Sequence, residues 1–130
     1  MENKVFLGGT CADSTWRNDL IKLINVNYFN PVVKNWTPEC QQNEIAQKEI
    51  YCNIHLYCLT SSKSIFSIAE VVDSVHNKDK ITILHIIPDN FSKIELKHTK
   101  AIVNLVKQRG GITYIGSDLT YIAKLLNNIK

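Results

Sequence analysis

Five times along the chain a short apolar run gives way to a stretch whose apolar residues recur at helical spacing, and no other feature narrows the possible folds as much. The runs are Lys4–Gly9 and residues 26–33, 53–60, 81–87 and 112–115. Gly8 and Gly9 stop the first, and Asn30-Pro31 ends the second, because proline has no N–H to give a central ladder. The fourth is almost continuously apolar, as a strand buried on both faces would be. Between the runs, Ser14 is placed to cap a first helix carrying Trp16, Leu20, Leu23 and Ile24 on one side and ending near Asn25. Thr37-Pro38-Glu39 supplies a cap, a proline at the first helical position and an acid in the first turn, and so starts a second helix that runs to about Ile50. Residues 67–75 form a third helix. Ala101, Ile102, Leu105 and Val106 mark a fourth, closed by Gly110-Gly111, and Leu119, Ile122, Ala123 and Leu126 stripe a fifth.

Right-handed crossovers then require helices on both faces of the sheet. The expected architecture is a three-layer α/β/α sandwich on a five-stranded parallel sheet with order 2-1-3-4-5, flavodoxin-like or Rossmann-like. A length of 130 residues suits one compact core, so a single domain over residues 1–130 is expected. In such sheets ligands bind outside the carboxyl ends of the strands where the order reverses, here between strands one and three. The segments from Gly8 to Arg17, Asn30 to Trp36 and Thr60 to Glu70 therefore hold the candidate chemistry.

Partner classes can be narrowed in the same way. A net charge of +3 with Lys and Arg scattered along the chain gives no basic stripe for a polynucleotide, although a local phosphate or carboxylate site needs only one or two cations and some backbone N–H groups. Cys11, Cys40, Cys52 and Cys58 form no C-x-x-C pair and are read as free thiols of a reducing cytosol. His55, His76, His85 and His98 lack metal-ligand spacing, so neither a metal nor another cofactor is expected. Without a signal-peptide pattern or an apolar run near the ~20 residues of a membrane helix, a soluble cytoplasmic protein is expected.

Gly8-Gly9-Thr10 is neither G-x-G-x-x-G nor a P-loop, which argues against dinucleotides and NTPase chemistry. Two readings stand for it: glycines that let a ligand approach the backbone, with Ser14 and helix N–H groups as donors, or a tight strand-to-helix turn. Trp16 and Arg17 offer an indole face for a base and a guanidinium for an anion, or else a core side chain and a surface charge. Ser61-Ser62-Lys63-Ser64 reads as a phosphate contact or an ordinary turn. Glu70 is expected in the first turn of the third helix. The stripe Ile65, Ile68, Val71, Val72 and Val75 turns it toward solvent, while its place at the switch point turns it toward the crevice.

Val5-Phe6-Leu7-Gly8-Gly9-Thr10, Ser14-Thr15-Trp16-Arg17, Tyr28-Phe29-Asn30-Pro31-Val32-Val33 with Trp36, and Ser67-Ile68-Ala69-Glu70, taken in order, resemble the small, mostly bacterial and phage branch of nucleoside 2-deoxyribosyltransferase-like proteins. The resemblance spans roughly residues 4–76. It implies that Glu70 attacks the anomeric carbon of a deoxynucleoside to form a covalent deoxyribosyl-enzyme, that the leaving base is protonated, and that a second base or water takes the sugar. It also implies a homo-oligomer and substrate contacts from Gly8, Gly9, Thr10, Ser14, Trp16, Arg17, Asn30, Asn53, Ser64 and Ser67. The chain departs from the pattern in three places: Phe6 replaces a tyrosine beside the nucleophile, Asn53 replaces an aspartate at the start of strand three, and Ser64 stands near a usual glycine. The alternative to the enzyme is a module that keeps the pocket and only binds or sequesters a nucleotide-like ligand. A flavoprotein is disfavoured, since no Ser/Thr-rich phosphate loop follows strand one.

Overall fold

The computed structural model describes residues 2–11 and 14–130; Ala12 and Asp13, within the candidate segment from Gly8 to Arg17, lie outside the described residues. Five parallel strands, β1 (Lys4–Gly9), β2 (Asn27–Phe29), β3 (Ile54–Leu59), β4 (Ile81–Ile86) and β5 (Ile112–Ile115), form one sheet in the expected order β2-β1-β3-β4-β5. Side chains of successive strand residues point to opposite faces, and the core divides accordingly. Val5, Leu7, Ile54, Leu56 and Ile83 pack with Trp16 and Leu20 of helix α1 (Trp16–Ile21) and with Ile122 and Leu126 of α5 (Leu119–Asn127). On the other face Phe6, Tyr57, Leu59, Leu84 and Ile86 pack with Val71 and Val75 of α3 (Ile65–Val75) and with Val103 and Val106 of α4 (Lys93–Gln108).

Where the boundaries differ from the sequence expectation, local chemistry explains the difference. β2 keeps only three residues of the apolar run, an edge strand paired only with β1 that stops directly before Asn30 and Pro31, where the sequence ends it. α1 ends at Ile21 instead of near Asn25, and its N-cap is Thr15 rather than Ser14; the Ser14 hydroxyl reaches the Trp16 N–H only at 3.5 Å. Thr37 does cap α2 (Pro38–Ala46), its hydroxyl accepting from the Cys40 N–H at 3.2 Å, and the helix then widens into a π-helical turn over Gln47–Tyr51. α4 starts at Lys93, behind a capping box in which Ser92 and Glu95 exchange side-chain and backbone hydrogen bonds. The four cysteines are free, and among the described residues no helix is long and apolar enough to cross a membrane.

Candidate functional site

A cleft of about 750 Å³ opens at the carboxyl ends of β1 and β3, at the reversal of strand order. Its floor is the turn after β1. Gly9 has φ +118°, and a Cβ there would lie 2.1 Å from the Cys58 carbonyl, so only glycine fits. At Gly8 a Cβ would meet the Tyr57 ring at 2.7 Å. The two glycines thus let β1 turn hard against β3 and make room for Tyr57 beneath. Thr10 completes the joint: its N–H donates to the Cys58 carbonyl, its hydroxyl oxygen accepts from the Thr60 N–H at 3.0 Å, and it shares a 2.5 Å hydrogen bond with the Ser64 hydroxyl.

Arg17 is buried and spends its planar fork on this same turn. Nε donates to the Leu7 carbonyl at 2.8 Å, Nη1 to Thr10 at 2.7 Å and Nη2 to Gly9 at 3.1 Å. Its guanidinium stacks on the Trp16 ring at 4.5 Å, and Trp16 Nε1 also donates to the Thr10 carbonyl. Burial lowers the Arg17 pKa. Arg17 lines the cleft while holding its floor; Trp16 lies beneath it in the core and does not line it.

The chain places Glu70 differently from its periodicity. α3 begins at Ile65, two residues before the expected start, so Glu70 is in the second turn and not the first. Ile65 and Phe66 are exposed, and the buried face is Ser67, Val71, Ser74 and Val75. Glu70 lies between Ser67 and Ser74 at spacings of three and four, at the edge of that buried face, and its side chain is 11% exposed. Its Oε2 is 3.2 Å from Lys48 Nζ.

Lys48 comes from the π-helical turn, and a buried polar network secures that turn. The Lys48 carbonyl can only accept, so His55 Nε2 donates to it at 2.7 Å; Nδ1 then accepts from the Ser74 hydroxyl at 2.8 Å, and Ser74 in turn accepts from Thr82 at 2.7 Å. Burial lowers the His55 pKa and keeps the ring in this neutral form. Behind Glu70 a second, polar cavity of about 30 Å³, large enough for one water, is lined by Lys48, His55, Tyr57 and Ser74. The Tyr57 hydroxyl is buried without a hydrogen-bond partner among the described residues, and burial, followed by the charge of Glu70, raises its pKa.

Of the residues proposed from sequence, the cleft brings together Gly8, Gly9, Thr10, Arg17, Ser64, Ser67 and Glu70. Ser14 and Asn30 stand outside its lining. Asn30 Oδ1 accepts from the Val32 N–H at 3.1 Å and so bends the loop that presents Pro31, Val32 and Val33 to the cleft. Asn53 lies at the opposite edge of the sheet, about 20 Å away along β3. There it accepts from the Lys4 N–H and donates to Asn3 Oδ1, both at 2.8 Å. Asn53 therefore joins the starts of two strands and stands outside the lining of this cleft. Sequence reasoning did not single out Glu44 and Lys48, whose E-x-x-x-K spacing reads as a surface ion pair. The available signal was the absence of an apolar stripe on α2.

A family model described as nucleoside 2-deoxyribosyltransferase like matches residues 2–103, which include both strands of the cleft, α3 and the π-helical turn. The chain belongs to that family. Searches of curated proteins and of solved structures found no match. On β1, beside the glycine turn, the Phe6 ring stacks on Phe29 at 5.9 Å.

Proposed function

We propose that the protein is an enzyme that cleaves the N-glycosidic bond of a 2′-deoxynucleoside, or of its phosphate, through an ester between the sugar and Glu70. The observation that carries this reading is a carboxylate set in a cleft at the sheet's switch point with a lysine ammonium 3.2 Å from one oxygen. Nucleophilic attack needs a carboxylate with one oxygen left free to bond. Lys48 engages Oε2, so Oε1 is the oxygen assigned to attack C1′. The negative charge also stabilises the oxocarbenium-like transition state. Pro31, Val32, Val33 and the exposed rings of Trp36 and Phe66 supply an apolar wall for the base, and Lys63 with Ser61 and Ser64 supplies polar contacts for the sugar or a phosphate. Water or a second base then releases the sugar. A binding module that retains the pocket is the second reading, favoured by the same ion pair in so far as it occupies the carboxylate. The reading also takes the protein as a homo-oligomer, which the family resemblance implies, and as cytoplasmic.

Chromatography of the protein incubated with a panel of deoxynucleosides and deoxynucleotides, with and without a free acceptor base, separates transferase, hydrolase and binder. Glu70→Gln is expected to lower any cleavage by on the order of 10⁴-fold or more. Its thermal stability is expected to change little, because a partly exposed ion pair is worth about 1 kcal/mol or less. Near-normal turnover in this variant would remove Glu70 as the nucleophile.

A further inference from the structure

Helix α2 and its π-helical turn are inside out. Glu44, Gln47 and Lys48 are half-buried together with the small Cys40 and Ala46, whereas Ile45 is 51% and Ile50 67% exposed. A helix gains stability by burying its apolar residues, so the inward polar face is explained by what it faces and not by packing. Glu44 lines the same cleft as Glu70, one helical turn before the lysine that pairs with Glu70.

We propose that Glu44 is the proton donor to the departing base. The assignment rests on the glycosidic reading given above. As Glu70 Oε1 forms its bond to C1′, the C1′–N bond breaks with its electron pair passing to the base nitrogen, and that nitrogen takes the Glu44 carboxyl proton. The products are a neutral base, a sugar ester on Glu70 and a Glu44 carboxylate. In the second step Glu44 removes a proton from water, or from the N–H of an incoming base, as that nucleophile bonds to C1′ and the ester bond returns its electron pair to Glu70. The two carboxyl groups are suited to different parts. Glu70 is held by Lys48, while burial, and then the charge of Glu70, raises the Glu44 pKa against the opposing effects of Lys48 and Arg17. The charged groups acting on Glu44 are thus Glu70 from α3, Arg17 from α1 and Lys48 from its own turn. Lys63 of the loop after β3 lines the same cleft.

The test compares 2′-deoxyguanosine and 2′-deoxyinosine with their N7-methylated forms, each as nucleoside and 5′-phosphate. An N7-methylated base is already cationic and leaves without protonation. Glu44→Gln should lower kcat on the unmethylated substrate at least about 10²-fold and leave the methylated one within a few-fold. On any substrate that needs the proton, wild-type kcat should fall as pH rises through the Glu44 pKa, and Glu44→Gln should lose that limb. Glu44→Asp, which keeps an acid, should recover part of the rate. Equal slowing of methylated and unmethylated substrates, or no slowing of either, would overturn the assignment and leave the glycosidic reading intact. If the wild type cleaves neither these compounds nor the broader panel, the glycosidic reading falls and Glu44 with it.

Discussion

Helices α2 and α4 obey opposite rules. α4 sets Val103 and Val106 into the core, starts at a capping box and shows solvent its charged face. α2 buries no side chain fully, turns Glu44 inward and leaves Ile45 exposed, and the π-helical turn that continues it turns Lys48 inward. One helix holds the sheet, and the other borders the cleft. The difference teaches that amphipathic patterning reports on the parts of this chain that serve packing, and that its failure marks the part that faces the cleft.

Arg17 is the sharpest test of that division, because it lines the cleft yet is bonded like a core residue. Arg17→Ala strips charged donors from three backbone carbonyls and is expected to cost at least about 3 kcal/mol, read by denaturant unfolding. Arg17→Lys should recover little of this, since a single ammonium cannot reproduce the three-way fork. An Arg17→Ala protein of unchanged stability and weakened ligand binding would move Arg17 from floor to ligand contact.

The next largest effect belongs to α4. Val106 is fully buried, and Val106→Ala should destabilise by about 2 kcal/mol through lost burial and a residual cavity, with kcat unchanged. A loss of turnover at constant stability would break the comparison from that side.

The smallest effect belongs to α2. Ile45→Glu on its exposed face should alter stability by less than about 0.5 kcal/mol. Light scattering on the same variant sharpens the point: a fall in mass relative to wild type would show that a second copy covers this apolar face, and an unchanged mass would separate the face from any homo-oligomer.

Much of the fold was legible because each signal was local. The continuous apolar runs of β1, β3 and β4 allow few placements in a sheet covered on both sides, and Thr37-Pro38-Glu39 starts a helix by its own hydrogen-bonding and φ preferences. The Ser92-Glu95 capping box is an equally local signal for the start of α4. The site was legible only in part. Glu70 was found by its motif, yet the stripe through Ile65 and Ile68 put it on the solvent side. Ile65 stands at the mouth of the cleft with no layer above it, and Ser67 and Ser74 take the inward positions.

By itself the sequence determined the alternation of strands and helices and the glycine turn after β1, since backbone preference and burial act within a few residues of one another. Tertiary structure decided where the polar side chains meet. Lys48 reaches Glu70 across 22 positions of sequence, and Asn53 joins the edge opposite the cleft. Arg17 turns back onto the carbonyls before it. A charged side chain has no periodicity that names its partner; only the packing of the sheet brings the two together and withdraws them from water.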